Sequence, residues 1–470
     1  MAPPYSRRSF LKTLGTVSWA MFFSPSGIAT GASSQKPNVI FILVDDMGYG
    51  DLGCYGNTFH ETPNIDRLAQ EGMKFTNAYA AAPNCSPTRA SVLTGQWPAR
   101  VGITQYLPGN KNTERMQRKR LIQPDLPPGL ALSKITIAEA LKQGRYATAS
   151  IGKWHLGGDQ YLPEHQGFDF TFAGGAIGHH VTMFSPYQTP VIPDADPGKY
   201  LTDHLTDKAE QFIERNRNNP FFLYLPLYAV HSPIEAKKAL VEKYRKKLSQ
   251  GFKGDPTYAA MVEGVDISVE RIRQKLEALD IAENTIIFFF SDNGGVPRWA
   301  SNGPLRAGKG YLYEGGIREP LLVVWPDEVQ PGSICDTPVS SVDFFPTITE
   351  IAGIQNQQEF QVDGLSLVPL LHGRKQLNRD TLYWHYPHYS NAGCPPCSAI
   401  REGDFKLIQF YEDDHLELYD LKHDIGESHN LLSENPTLGE RLHQKLVSWR
   451  KQLHAKMPWP NPNYQEELNQ

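Results

Sequence analysis

Asn38-Val-Ile-Phe-Ile-Leu-Val44 runs directly into Asp45-Asp46, and the reading of this junction decides the fold. Seven successive residues carry no charge and are rich in β-branched and aromatic side chains. A half-exposed strand would alternate polar and apolar positions, so an unbroken run reads as a strand buried on both faces of a parallel or mixed sheet. Similar runs recur at residues 146–151, 221–227, 285–290 and 321–325. Helical patterns lie between them. Thr62 stands as a candidate N-cap before Pro63 at a first helical position, and residues 134–143, 205–215 and 258–279 carry apolar side chains at helical spacing. Strands alternating with helices predict an α/β fold, a large, mixed, mostly parallel sheet sandwiched by helices.

The pattern changes after about Arg374. Thr381-Leu-Tyr-Trp-His385, Ser398-Ala-Ile-Arg401, Phe405-Lys-Leu-Ile-Gln-Phe-Tyr411 and Leu416-Glu-Leu-Tyr-Asp-Leu421 read as short strands of an antiparallel meander. Residues 437–453 read as a helix. The expected organisation is a catalytic domain over residues 36–375 and a smaller C-terminal α+β subdomain over residues 376–470.

Residues able to do chemistry fall just past the predicted strands, the edge at which open α/β sheets bind ligands. Asp45-Asp46 and Asp292-Asn293 offer only oxygen donors, the set a hard divalent cation takes, Ca²⁺ more readily than Mg²⁺ when protein supplies most of the shell. Without a metal, such acids must be exposed or hydrogen-bonded to loop amides. Lys153 and His155, in Gly152-Lys-Trp-His-Leu-Gly157, face one cavity if the chain is extended there. His231 follows Leu225-Pro-Leu-Tyr-Ala-Val230, and Lys309 lies in Ala307-Gly-Lys-Gly-Tyr-Leu-Tyr-Glu-Gly-Gly316.

Cys85-Ser-Pro-Thr-Arg89, continued as Ala-Ser-Val-Leu-Thr-Gly95, opens a helical-looking segment after Tyr79-Ala-Ala-Ala-Pro-Asn84. An isolated cysteine at a helix start is most simply a small buried residue. The pattern Cys-x-Pro-x-Arg, however, closely resembles the signature of the type I sulfatases of the alkaline phosphatase superfamily, and Gly152 to Gly157 resembles their second signature. The resemblance runs from about Lys36 into the C-terminal meander, and no position of the expected catalytic set departs from the pattern. It implies that Cys85 is oxidised by a formylglycine-generating maturation enzyme to formylglycine, an aldehyde that works as its hydrate. It further implies that Asp45, Asp46, Asp292 and Asn293, with residue 85, hold the cation, Ca²⁺ with Mg²⁺ as the alternative. The implied catalytic set is Cys85, Arg89, Lys153, His155, His231 and Lys309, with Lys153, Lys309 and His231 also touching the substrate.

With the roles that the resemblance implies, the chemistry of that set can be argued from charge. Attack on the sulfur of an anionic ester requires its equatorial oxygens to be neutralised, as a cation and two lysines would do. One hydroxyl of the hydrate attacks in line and frees the alcohol; the second loses its proton, expels sulfate and restores the aldehyde. A plain serine has no such exit. His231 is the candidate acid for the leaving alcohol and His155 the candidate partner of the hydrate. Arg89, one turn beyond Cys85, orients it.

Substrate preference is less legible. Gly102-Ile-Thr-Gln-Tyr-Leu-Pro-Gly109 and Tyr383-Trp-His-Tyr-Pro-His-Tyr389 resemble bacterial sulfatases acting on sulfated polysaccharides. Trp384, His385, His388 and Tyr389 either contact a sugar or form a packed strand end. His180, in Gly178-His179-His180, is a further candidate contact. The alternatives are a phosphonate monoester or phosphodiester hydrolase of the same superfamily, or an inactive saccharide-binding protein on this fold.

Ser6-Arg7-Arg8-Ser9-Phe10-Leu11-Lys12 closely matches a twin-arginine export signal. The apolar stretch behind it, residues 14–23, is shorter than the ~20 residues of a membrane-spanning helix. Residues 1–32 are therefore expected to be a signal peptide read by the twin-arginine export machinery, giving a periplasmic or secreted protein without stable membrane insertion. A net charge of −5 points away from nucleic acid. The five cysteines are too few for a disulfide scaffold at this size. Cys394-Pro-Pro-Cys397 reads as a local disulfide formed after export, as a redox pair lacking its strand-to-helix setting, or as half of a zinc site lacking its second pair. Cys54 and Cys335 read as small buried residues.

Overall fold

β1, Asn38–Val44, occupies the middle of the central sheet with all seven residues buried. The computed structural model describes residues 36–110, 113–354 and 360–464; residues 1–32, expected to be a signal peptide with Arg7-Arg8, lie outside them. The further strands of the central sheet are β2 (Met73–Tyr79), β4 (Ala147–Ile151), β5 (Phe170–Phe172), β6 (Phe221–Pro226), β7 (Thr285–Ser291), β8 (Arg318–Val324), β9 (Ser333–Cys335) and β10 (Val339–Ser340). The two-residue β3 (Leu121–Ile122) lies outside this sheet. The order is β10-β2-β8-β7-β1-β6-β4-β5, with β9 also beside β2. β8 runs antiparallel to both neighbours, and the other pairs are parallel.

Alternate residues of β1 serve two cores, as the period of a strand requires. Ile40, Ile42 and Val44 pack toward the helices Leu201–Asn216, Lys238–Ser249 and Pro256–Ala278. Val39, Phe41 and Leu43 pack toward Cys85–Thr94, Ile137–Lys142 and Phe344–Ile351, with Phe41 stacked on Phe288 and edge-on to Phe344. This is the expected α/β sandwich.

Some local expectations change. Thr62 does precede the helix Pro63–Glu71, but its side chain caps nothing there; its hydroxyl accepts from Gly53 N at 2.9 Å and donates to Asp66 at 3.1 Å. The helix-end amides of Asn64 and Ile65 instead donate to Asp266, at 2.9 and 2.8 Å, from the helix Pro256–Ala278. The segment expected from residue 134 becomes helical only at Ile137, because Thr136 and Glu139 form a capping box. β2 escaped the sequence reading: Lys74, Thr76 and Asn77 interrupt its apolar run, and its register shifts between Phe75 and Ala78.

The C-terminal meander is β11 (Thr381–Tyr386), β12 (Cys397–Glu402), β13 (Phe405–Phe410) and β14 (Leu416–Asp420), antiparallel throughout, with the helix Pro436–Gln452 against it. The terminal β15 (Trp459–Pro460) pairs with β3. The meander shares a core with the central sheet, in which Tyr79, Trp97 and Leu312 meet Leu382, Trp384 and Ile400. Lys406 of β13, fully buried, pairs with Glu314 and Glu427, each at 2.9 Å. Among the described residues, no helix is long and apolar enough to cross a membrane.

Candidate active site

The helix Cys85–Thr94 is buried along its whole length. Pro87 falls in its first turn, where the missing N–H would have had no intrahelical partner. Asn84 precedes the helix without capping it; its amide donates to Gln105 Oε1 at 2.7 Å and to Tyr386 OH at 2.8 Å. Ser86 donates to the His155 carbonyl at 2.7 Å and accepts from Leu107 N at 3.0 Å. The helix start is thus tied to the second signature segment through His155, to residues 102–109 through Gln105 and Leu107, and to β11 through Tyr386.

Cys85 Sγ lies 3.6 Å from Asp45 Oδ1 and 3.6 Å from Lys309 Nζ. Asp45, at the end of β1, accepts from Lys153 Nζ at 2.5 Å. Asp46, with φ 63° in the left-handed region, turns its carboxylate to Lys309 Nζ at 2.6 and 2.7 Å and to Asn293 Nδ2 at 2.8 Å. Arg89 donates through Nε and Nη2 to Asp292 Oδ2 at 2.9 and 2.6 Å, and through Nη1 to the Lys153 carbonyl at 2.8 Å. His231 Nε2 is 3.7 Å from Asp46 Oδ2, and its Nδ1 meets the Ser232 carbonyl at 2.7 Å. His155 Nε2 meets the Leu107 carbonyl at 2.7 Å, which requires the proton on Nε2 and leaves Nδ1 as the acceptor. That Nδ1 has no partner.

Burial and charge set the protonation states. Burial pushes the Cys85 thiol up to about 12, against the pull of Lys153 and Lys309. Burial raises Asp46 too, but Lys309, His231 and Lys153 outweigh it and hold this carboxyl well below its usual range. Asp292 is pushed up to about 6 by burial and by Asp45, despite Arg89. His231 is brought down to about 3 by burial and Lys309. His155 is held far below its ordinary value, by burial first and then by Lys153.

The donor set suits a hard cation. Ligand atoms of Asp45, Asp46 and Cys85 lie within 4.8 Å of one another. Asn293 Oδ1 is buried with no hydrogen-bond partner, although the amide nitrogen of the same side chain is fully used. An orphaned buried oxygen beside carboxylates is what a cation would satisfy.

Above this floor opens a cavity of about 1070 Å³. Asp46, Cys85, His155, His231 and Lys309 form its base, and Tyr106, Ile177, His179, Trp299, Tyr311 and Asn391 stand among its walls. Arg89, Lys153, Asp45, Asp292 and Asn293 are buried and do not line it.

The other sequence candidates lie elsewhere. His180 does not line the cavity: it is buried, with its ring edge-on to Tyr228 and Nε2 at 2.7 Å from Met183 Sδ, while its neighbour His179 faces the space. His385 is buried in the meander between Ser398 Oγ at 2.7 Å and the Lys456 carbonyl at 2.9 Å. His388 is buried against Thr104 Oγ1 at 2.8 Å. Trp384 donates to the Ala80 carbonyl at 2.8 Å, and Tyr389 to Glu412 at 2.6 Å. All four serve packing: Trp384 and His385 point to opposite faces of β11, and both faces are covered, Trp384 by Ala80 and His385 by the chain at Lys456, while the turn after β11 buries His388 and Tyr389. Asp51, overlooked in the sequence, accepts from Gly48 N, Ser301 N and Tyr258 OH at 2.8, 2.7 and 2.6 Å, bracing the two acid-bearing loops. Only its spacing six residues after Asp45 hinted at it.

A family model described as Sulfatase matches residues 37–354, and one described as N-sulphoglucosamine sulphohydrolase, C-terminal, matches residues 307–452. A "Sulfatase" from Formosa agariphila is 34% identical, with 89% of each chain covered. The N-acetylgalactosamine-6-sulfatase of Homo sapiens is 35% identical over 76% of this chain and 70% of its own. Among solved structures, Ps i-CgsB in complex with k-i-k-neocarrahexaose superposes with a TM-score of 0.78 at 30% identity, covering 92% of this chain and 96% of that one.

Proposed function

The chain belongs to the sulfatase family and is a sulfuric ester hydrolase; on that footing we propose that it removes sulfate from a sulfated carbohydrate, using a formylglycine made from Cys85 and a divalent cation, Ca²⁺ ahead of Mg²⁺. The observation that carries this reading is the position of Cys85, buried at the base of the cavity between Asp45 and Lys309. With its thiol pushed up to about 12 it holds almost no thiolate at neutral pH and is a poor nucleophile as cysteine. Oxidation to formylglycine would supply a hydrated aldehyde, one hydroxyl to accept sulfate and a second to release it. Asp45, Asp46, Asp292, Asn293 and residue 85 would hold the cation, which supplies positive charge opposite the sulfate oxygens.

The remaining roles belong to the chain's own side chains. Lys309 lines the cavity and is the cation open to the ester's oxygens, while Lys153, buried beneath it on Asp45, adds positive charge to the floor. Arg89 positions the floor through Asp292 and the Lys153 carbonyl. His155 Nδ1 is an unpartnered acceptor for a proton of the hydrate. His231 is neutral in the free enzyme; it becomes an acid for the leaving alcohol once the ester's negative charge offsets Lys309. A saccharide substrate is supported by the oligosaccharide bound to Ps i-CgsB and by the aromatic walls around Tyr106, Trp299 and Tyr311.

We assign catalysis to residues 36–375 and the far wall of the site to residues 376–470. Oxidation of Cys85 precedes folding, and residues 1–32 then direct the folded protein through the twin-arginine route to the periplasm or beyond. Mass spectrometry of protein from its native source should find the aldehyde at residue 85. Chelation should abolish release of sulfate from a panel of defined sulfated oligosaccharides, and Ca²⁺ should restore it. Full activity with every Cys85 still a thiol would sink the proposal.

A further inference from the structure

The connection from β11 to β12, residues 387–396, reaches from the meander over the cavity. Ser390, Asn391 and Ala392 line it. Their hold on the rest of the rim is slight. Asn391 donates to Tyr106 OH at 3.2 Å and accepts from Asn110 at 3.1 Å, and the Ala392 carbonyl accepts from Tyr311 OH at 2.7 Å. Asn391, Ala392 and Gly393 are exposed. At the base of this loop Ser390 N donates to the Cys394 carbonyl at 2.9 Å and Ser390 Oγ accepts from Cys394 N at 3.0 Å. Cys394 Sγ faces Cys397 Sγ at 3.8 Å, both residues being buried. Pro395 and Pro396 between them restrict the backbone that presents the two sulfurs to each other.

We propose that Cys394 and Cys397 form a disulfide whose role is to hold Ser390–Ala392 in place as part of the substrate-binding rim. The reaction is thiol–disulfide exchange: two thiols and one molecule of oxidised glutathione, or an equivalent protein disulfide, give the Cys394–Cys397 bond and two reduced thiols. A ring closed over four residues removes little entropy from the unfolded chain, so its effect is local rather than on global stability. Cys397 also opens β12 opposite Tyr386, whose hydroxyl accepts from Asn84 beside Cys85. Strand pairing already holds that end of β12, so the effect of the bond falls on the rim loop. The effect on substrate rests on the reading of the cavity as the sulfated-saccharide site; the bond itself does not.

The protein, incubated natively with excess oxidised glutathione and also refolded from denaturant in its presence, is alkylated under denaturing conditions and digested. The expected product is a peptide with Cys394 and Cys397 linked and two hydrogens lighter, while Cys54 and Cys335 are alkylated. Alkylation of both Cys394 and Cys397 under both regimes overturns the bond. Amide exchange at Ser390, Gly393 and Cys394 should be slower in the oxidised than in the reduced wild-type protein; equal exchange overturns the bracing. The Cys394→Ser/Cys397→Ser variant should show a KM for a sulfated oligosaccharide several-fold above that of the oxidised wild type, with kcat for a small aryl sulfate unchanged. An unchanged oligosaccharide KM overturns the role at the rim, whereas inactivity of the wild type on every saccharide strikes the proposed substrate and leaves the bond and its bracing to the first two measurements.

Discussion

Replacing Arg89 tests whether the buried charge balance beneath the cavity holds the nucleophile in place. The guanidinium is fully buried and gives three hydrogen bonds of 2.6 to 2.9 Å to Asp292 and the Lys153 carbonyl. Arg89→Met keeps an apolar stem and removes all three, stranding Asp292 as a buried acid without its cation. Breaking a buried pair from one side costs about 3–5 kcal/mol. An unfolding entropy of roughly 2.1 cal/mol/K per residue, taken over Lys36–Gln470, comes to about 0.9 kcal/mol/K, so the melting temperature should drop by about 3–6 °C. Arg89→Lys restores charge without the fork and should recover only part of this. Adding Asp292→Asn to the Met variant removes the stranded charge, so the double variant should lose less than the two single losses combined, by about 1 kcal/mol or more. Calorimetry at one scan rate, with equal divalent-ion content in every sample, reads the stability. Hydrolysis of an aryl sulfate reads the site, and kcat should fall about 100-fold or more because Lys153 and the Cys85 helix lose their common anchor. A Met variant that melts within about 1 °C of wild type, or strictly additive losses in the cycle, would refute the reasoning.

Three further perturbations follow from particular contacts. Cys85→Ser should take up sulfate at most once and then stall, giving no steady-state turnover of nitrophenyl sulfate; sustained turnover would show that the second hydroxyl is dispensable. Gly178→Ala should lower kcat while leaving the melting temperature nearly unchanged, because a Cβ at 178 would come within 2.2 Å of the His155 ring and must push it from its place; wild-type kcat would show that His155 needs no such fixing. His388 is buried and brought down to about 3, by burial and then by His385. Its folded pKa is depressed, so the stability it contributes is complete above about pH 6.5 and is lost as the pH falls toward 3. From pH 6.5 to 5 that loss is on the order of 2 kcal/mol, and His388→Gln should flatten the melting-temperature profile over this window; parallel profiles would show that His388 does not titrate this way.

What could be read from residues alone was whatever local pattern determines. β1, β6 and β7 announced themselves because strands buried on both faces are apolar without interruption, and β11 to β14 because short runs rich in β-branched, aromatic and aliphatic residues recur between turn residues. The floor of the site was legible for the same reason: Asp45, Lys153, His231 and Asp292 follow β1, β4, β6 and β7, and parallel strands carry all such ends to one edge of the sheet. Facing was not legible. His179 lines the cavity and His180 does not, and His388 turns inward, because side-chain direction in an irregular loop or a turn depends on the segment packed against it; His385 is buried because the face of β11 that carries it is covered from elsewhere in the chain. The cap on Pro63–Glu71 comes from Asp266, some 200 residues away, and the far wall of the cavity comes from Ser390–Ala392 of the second sheet. Contacts of that range leave no periodicity in the sequence around either partner. They are selected only when both sheets have closed on a shared core, where a buried polar group must find its partner wherever the chain has brought one.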